Sequence, residues 1–225
     1  MFLRVLWWRI RYAVWYLGWR IEFGLAKWHT VHGVRVGLAA VLDEQLGLRA
    51  FESVQAALDL IAEYEPRRMR RIARDIQRIW IRRAAYAPAY YLTELSLCVL
   101  DRNFVTAEDT PATMIAVAIV HEATHVRLFK RKILYAEALR PRIEAICDAQ
   151  SAVFARHLPD GESLSRRILE GRPADASHWS DDNLDRRLVD ARHTEVAAVR
   201  QELEDSDLPN WLKRVLRRVI RSRAA

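Results

Sequence analysis

Cysteine is nearly absent from this chain. Two residues in 225, Cys98 and Cys147, cannot make the disulfide framework that holds small secreted domains together, and both are expected as buried thiols in a reducing cytoplasm. The N-terminal segment also lacks a long apolar run. Its longest uncharged stretch, Tyr12 to Trp19, falls well short of the roughly twenty residues that span a bilayer, and no small-residue cleavage site follows it. Neither a membrane span nor export is expected. Arg67 to Arg83 carries eight arginines without the interleaved aromatics that stack on bases, so it reads as a solvated face and nucleic acid is not an expected partner.

What is present is a globular composition, 51% hydrophobic and 29% charged, with chain enough for one sizeable core or two small ones. The net charge of +7 is concentrated at the ends. Residues 1–50 hold seven basic and three acidic groups, and residues 206–225 hold six and one, whereas residues 106–205 are net negative with fourteen against eighteen. Five of the eight tryptophans (Trp7, Trp8, Trp15, Trp19, Trp28) fall in residues 1–28 among Arg4, Arg9, Arg11 and Arg20. That mixture suits an anionic membrane surface, but the arginines wind onto opposite sides of a helix, which suits a helix packed on the body. At the other end Leu208, Trp211, Leu212, Val215, Leu216, Val219 and Ile220 form an apolar stripe backed by arginines, an interfacial helix or one docked on the domain.

Between the ends, Phe51 to Glu63 has helical periodicity, and Glu65-Pro66 marks a boundary. A helix to about Arg74 and a strand on to Arg83 follow. Glycines 33, 37 and 47 suggest breaks before them. Leu95 to Asp101 alternates as a short strand, and Ser180-Asp181-Asp182 caps a helix running to about Glu204.

The most informative stretch is His121-Glu122-Ala123-Thr124-His125, after the apolar run Met114 to Val120. Two histidines four apart on a helix project from one face and can hold one metal ion, and a glutamate between them can take the proton of a metal-activated water. Such a string arises by chance in about one chain in a hundred of this length. Its setting fits the chemistry. Thr110-Pro111 supplies an N-cap and a proline at the first helical position, and Arg127, Lys130, Arg131 and Lys132 suit the negative end of the helix.

A catalytic zinc needs a third protein ligand. A histidine six residues past His125 is ruled out, because that position is Arg131 and Leu128 replaces the intervening glycine. Glu144 is the candidate, on a helix starting at Pro141, with Asp148 one turn on to hold a histidine ring by its second nitrogen. An alanine stripe, Ala145, Ala149, Ala152 and Ala155, is expected to let this helix approach the first closely.

Over residues 76 to 158 the sequence resembles the gluzincins, the thermolysin-like zinc peptidases, in which H-E-x-x-H is followed by E-x-x-x-D; Glu144-Ala145-Ile146-Cys147-Asp148 has that form. The resemblance implies one Zn²⁺ per chain on His121, His125 and Glu144, with Asp148 behind and Glu122 as general base. It implies a peptide or protein substrate, and it puts Tyr135 where the clan has a tyrosine that stabilises the tetrahedral intermediate. A downstream histidine could be His157, His178 or His193. A substrate-pairing strand would be Leu95, Ser96, Leu97, Cys98 and Val99.

The expected fold is α+β, mostly helical, zincin-like with a short antiparallel sheet upstream of the motif helix. The expected division is residues 1–50 as a basic segment, membrane-surface or prosegment, 51–160 as the metallopeptidase domain, and 161–225 as a helical C-terminal segment. The expected location is cytoplasmic, with membrane association through the ends. A zinc hydrolase of a non-peptide amide and a non-catalytic membrane-surface protein with a zinc site are the alternatives.

Overall fold

The computed structural model describes residues 23–24, 26–39, 44–84, 87–159, 161–173 and 175–206, and then 209–211, 213, 214 and 217. The tryptophan-rich segment before Phe23 and most of the C-terminal apolar stripe lie outside the described residues.

The chain is α+β and mostly helical. Strands β1 (Lys27–Val31) and β2 (Val34–Leu38) form a hairpin, followed by helices α1 (Glu44–Tyr64) and α2 (Pro66–Asp75). Next come β3 (Arg78–Arg82), β4 (Ala89–Leu92), β5 (Leu97–Asp101) and the short α3 (Arg102–Thr106). Helices α4 (Ala112–Lys130), α5 (Arg140–Ala155), α6 (Gly161–Glu170) and α7 (Asp181–Asp205) follow among the described residues. Pro66 starts α2 as the sequence implies, and Ser180 caps α7 by accepting from the Asn183 N–H.

The sheet is mixed rather than antiparallel. Its order is β1-β2-β3-β5-β4, with β3 parallel to both β2 and β5 and antiparallel pairs at each end. The parallel step from β2 to β3 exists because α1 and α2 intervene, long enough to carry the chain back to the start of the sheet. Residues 27–50, expected to stand apart as a terminal segment, therefore supply two strands and the start of α1. Beyond residue 160, α6 packs on α5.

Both faces of the sheet are covered. Val34, Val36, Ile79, Ile81, Cys98 and Leu100 point into the main core against Val54, Leu58 and Ile61 of α1 and Ile115, Ile119 and Val120 of α4. The alternate residues Trp80, Leu97 and Val99 point the other way, under Phe23, Trp28, Tyr90 and Leu92. Here Gly37 is not a break but a necessity inside β2. A Cβ at that position would come within 2.7 Å of ring carbons of both Trp28 and Trp80, whose centroids are 5.3 Å apart. Gly33, at φ +84°, does make the expected turn, while Gly47 is buried in α1.

Candidate metal centre and active site

The motif lies on α4 as its chemistry requires. Pro111 is the N-cap, one residue later than expected, and no side chain caps the helix. The helix stops at a left-handed Lys132 (φ +63°), with the N–H of Lys132 donating to Phe129 O (2.8 Å) and that of Ile133 donating to Leu128 O (3.1 Å). This pair of bonds satisfies the last carbonyls and sends the chain into the 131–139 connection. The connection leads into α5, which lies against α4 through Leu128, Ile143 and Cys147. The alanine stripe is only partly inward: Ala152 and Ala155 are buried and Ala145 half-buried, but Ala149 is exposed, and beside the motif the inward face carries Ile143, Glu144 and Cys147.

Three donors converge between the two helices. His121 Nε2 is 3.1 Å from His125 Nε2 and 3.2 Å from Glu144 Oε2, and His125 Nε2 is 3.4 Å from Glu144 Oε1. Donors of a tetrahedral ion with bonds of about 2.0–2.1 Å stand about 3.3 Å apart, so the spacing fits a zinc-sized cation. Behind them His121 Nδ1 lies 3.3 Å from Asp148 Oδ1, the expected orienting contact.

The charges explain each other. Burial pulls the His121 imidazole towards neutrality, but Asp148, Glu144 and Glu122 outweigh it and push the pKa up to about 10. Glu144 responds in the opposite direction: burial raises its pKa, while His121, His125 and the Tyr135 hydroxyl hold it far below the usual carboxylate range. Glu122 is buried, and burial raises its pKa against the opposing pull of His125 and His121.

Cys147 is the alternative third ligand, with its sulfur and the two imidazoles within 4.8 Å of one another. Glu144 is the better candidate on chemical grounds. Its oxygens are closer and already ionised, whereas burial and the carboxylates of Glu144, Glu122 and Asp148 keep the Cys147 thiol strongly protonated. Cys98 is also a free, buried thiol.

Tyr135 is brought to the site, where its hydroxyl donates to Glu144 Oε1 (2.5 Å) and its ring meets His125 edge-on. The three downstream histidines do not line the cleft. His157 pairs with Glu65 (2.8 Å), His193 is exposed on α7, and His178 contacts Arg187 (2.9 Å), which does line it.

The expected substrate-pairing strand needs correction. Leu97, Cys98 and Val99 are paired on both sides, by β3 and β4, Ser96 is a left-handed turn residue (φ +48°), and Leu95 ends a short 3₁₀ turn. The edge is β4, whose Ala89, Tyr90 and Tyr91 line a cleft of about 870 Å³ containing His121, Glu122, His125 and Glu144. One site residue carries no sequence signal at all: Arg172 donates from Nε to Asp148 Oδ2 (3.1 Å) and from Nη2 to Ala145 O (3.1 Å), clamping the carboxylate that orients His121. Its partners are more than twenty residues away in the chain, and Gly171-Arg172-Pro173 reads only as loop.

No helix among the described residues is long and apolar enough to cross a membrane. No known protein family matches the chain, and neither curated proteins nor solved structures give a match.

Proposed function

We propose that this protein is a zinc-dependent metallopeptidase of gluzincin type. The observation that carries the proposal is the convergence of His121, His125 and Glu144 at separations of 3.1, 3.2 and 3.4 Å, with the buried Glu122 between the two histidines in sequence. A zinc ion held by these residues would act as a Lewis acid on the scissile carbonyl and make water nucleophilic at neutral pH.

The chain's own groups supply the rest. An extended substrate adds to β4, the terminal strand of the sheet among the described residues, which reads backbone rather than side chain. Glu122 takes the proton of the attacking water and returns a proton to the leaving amine. Asp148, held by Arg172, fixes the His121 ring so that Nε2 faces the donors. Tyr135 positions the Glu144 carboxylate and is the candidate donor to the developing oxyanion.

The test is zinc content and turnover of mixed fluorogenic peptides in wild type and Glu122→Gln. The variant should retain zinc and lose at least about 10²-fold in hydrolysis. Full activity in zinc-loaded Glu122→Gln overturns the mechanism, and turnover of acylated small amides without peptides moves the substrate class.

A further inference from the structure

The connection between α4 and α5 carries exposed apolar side chains. Every residue from Arg131 to Leu139 is exposed, and within eleven positions Phe129 (43%), Ile133 (39%), Leu134 (62%) and Leu139 (42%) are open to solvent, beside Tyr135, whose ring turns in to the site. The other exposed large apolar residues are single in the sequence, such as Leu48, Val153 and Leu169, or paired, as Leu188 and Val189 are. This cluster is not scattered.

Cations border it. Arg127, Lys130, Arg131 and Lys132 are exposed at the end of α4, and α2 packs beside them with Arg67, Arg70, Arg71 and Arg74 exposed. Lys130 reaches across to Asp75 (2.9 Å), which ties the two helices together at this point. Arg127 lies within the field of Arg131, Arg71 and Arg68, so the cations are neighbours in space as well as in sequence. Apart from Lys130 and Arg74, which share the buried Asp75, none of these exposed cations has an ion-pair partner among the described residues. The arginine stretch of α2 is thus one half of a two-helix patch.

We propose that this face docks on an anionic lipid surface, with Ile133 and Leu134 entering the headgroup layer and the cations of α2 and the end of α4 meeting lipid phosphates. A bilayer surface offers both things the patch presents, an apolar layer a few ångströms below an anionic one. Nucleic acid meets only the charge. Phe129 and Ile133 also line the cleft, so docking brings the cleft mouth to the membrane. This surface is separate from the basic terminal segments, and it does not depend on the hydrolase reading, because binding is measured without turnover.

The experiment is co-sedimentation of the full chain with vesicles of phosphatidylcholine alone or mixed with phosphatidylglycerol, for wild type, Leu134→Glu and Arg70→Glu/Arg71→Glu. Wild type should bind the anionic vesicles preferentially, and each variant should lose roughly tenfold or more in partitioning while keeping its thermal melt. Since the basic ends could bind lipid themselves, a nitroxide on Leu134→Cys supplies a local readout; Cys98 and Cys147 are buried and leave the new thiol to react. In the bound protein that nitroxide should be relaxed by oxygen and shielded from an aqueous nickel chelate. A nitroxide fully open to the chelate, unchanged binding of Leu134→Glu, or equal binding to neutral vesicles overturns the proposal. So does loss of RNA binding, rather than vesicle binding, in the arginine variant.

Discussion

The two ends of the α4–α5 pair treat polar and apolar groups in opposite ways. At the His121 turn the charges are inside: His121, Glu144 and Asp148 are largely withdrawn from water and neutralise one another. From Phe129 to Leu139 the apolar groups are outside, with cations at the α4 end and the exposed Glu137 turned to the Asp181 N–H. Neither arrangement is what stability selects, since buried ions cost desolvation and exposed aliphatics forgo burial. One helix hairpin holds both departures, and local conflict of this kind concentrates where a protein works.

The sharpest way to break the comparison is to remove one charge from the inner cluster. Glu144→Ala should lower zinc affinity by more than about 100-fold, judged by elemental analysis after purification without added metal, because it removes the proposed third ligand rather than its support. Cys147→Ser and Leu134→Glu should both keep the metal. Loss of zinc in Cys147→Ser with retention in Glu144→Ala would instead make the thiol the third ligand.

A milder cut leaves the ligands in place. Asp148→Asn should weaken zinc binding by about 10–100-fold, and Arg172→Ala by less, since it acts on His121 only through Asp148. Competition with a chromophoric chelator separates the two. Equal, wild-type affinity in both would show that the His121 ring is held by packing alone.

These sites were unequally legible in the sequence. The motif helix, its partner helix and the Glu144/Asp148 pair could be read because they depend on spacings within one turn of helix. The proline at the start of α2 and the serine cap of α7 are local too. Gly37 could not be understood locally: its reason is Trp80, forty-three residues on, pressing with Trp28 on the same backbone. The sheet edge was misassigned for a related cause. Strand neighbours are set by topology, and β5 slots between β3 and β4 although β4 precedes it in the chain. Likewise the apolar residues of 129–139 are visible in the sequence, but their exposure is not.

At the start of α2, Glu65 tests whether charge pairing stabilises by itself. It accepts from Arg68 and lies 2.8 Å from His157 Nδ1, tying the end of α5 to the start of α2. Burial raises its pKa, but Arg68 and His157 outweigh that and leave it below the ordinary value of 4.5. A depressed folded pKa means the contribution is complete above about pH 4.5 and is lost as pH falls through the lower folded value. Glu65→Gln should therefore melt a few degrees (about 2–4 °C) below wild type at pH 7, with the gap closing under acid conditions. A gap independent of pH would assign the effect to packing.

The smallest effect belongs to the residue that divides the two regions. Lys132 sits at φ +63°, in the left-handed region where a side chain is strained and glycine is not, and the two hydrogen bonds that stop α4 require that conformation. Lys132→Gly removes the strain but frees the unfolded chain, so the net gain should be only about 0.5 kcal/mol in denaturant unfolding. The same change deletes one cation from the patch. Anionic-vesicle binding should then weaken by roughly fivefold while the fold becomes slightly more stable and zinc content stays constant. A substitution that moves stability and lipid binding in opposite directions, leaving the metal untouched, isolates the outer surface from the inner cluster; if lipid binding instead followed stability, the patch would be acting only through the fold.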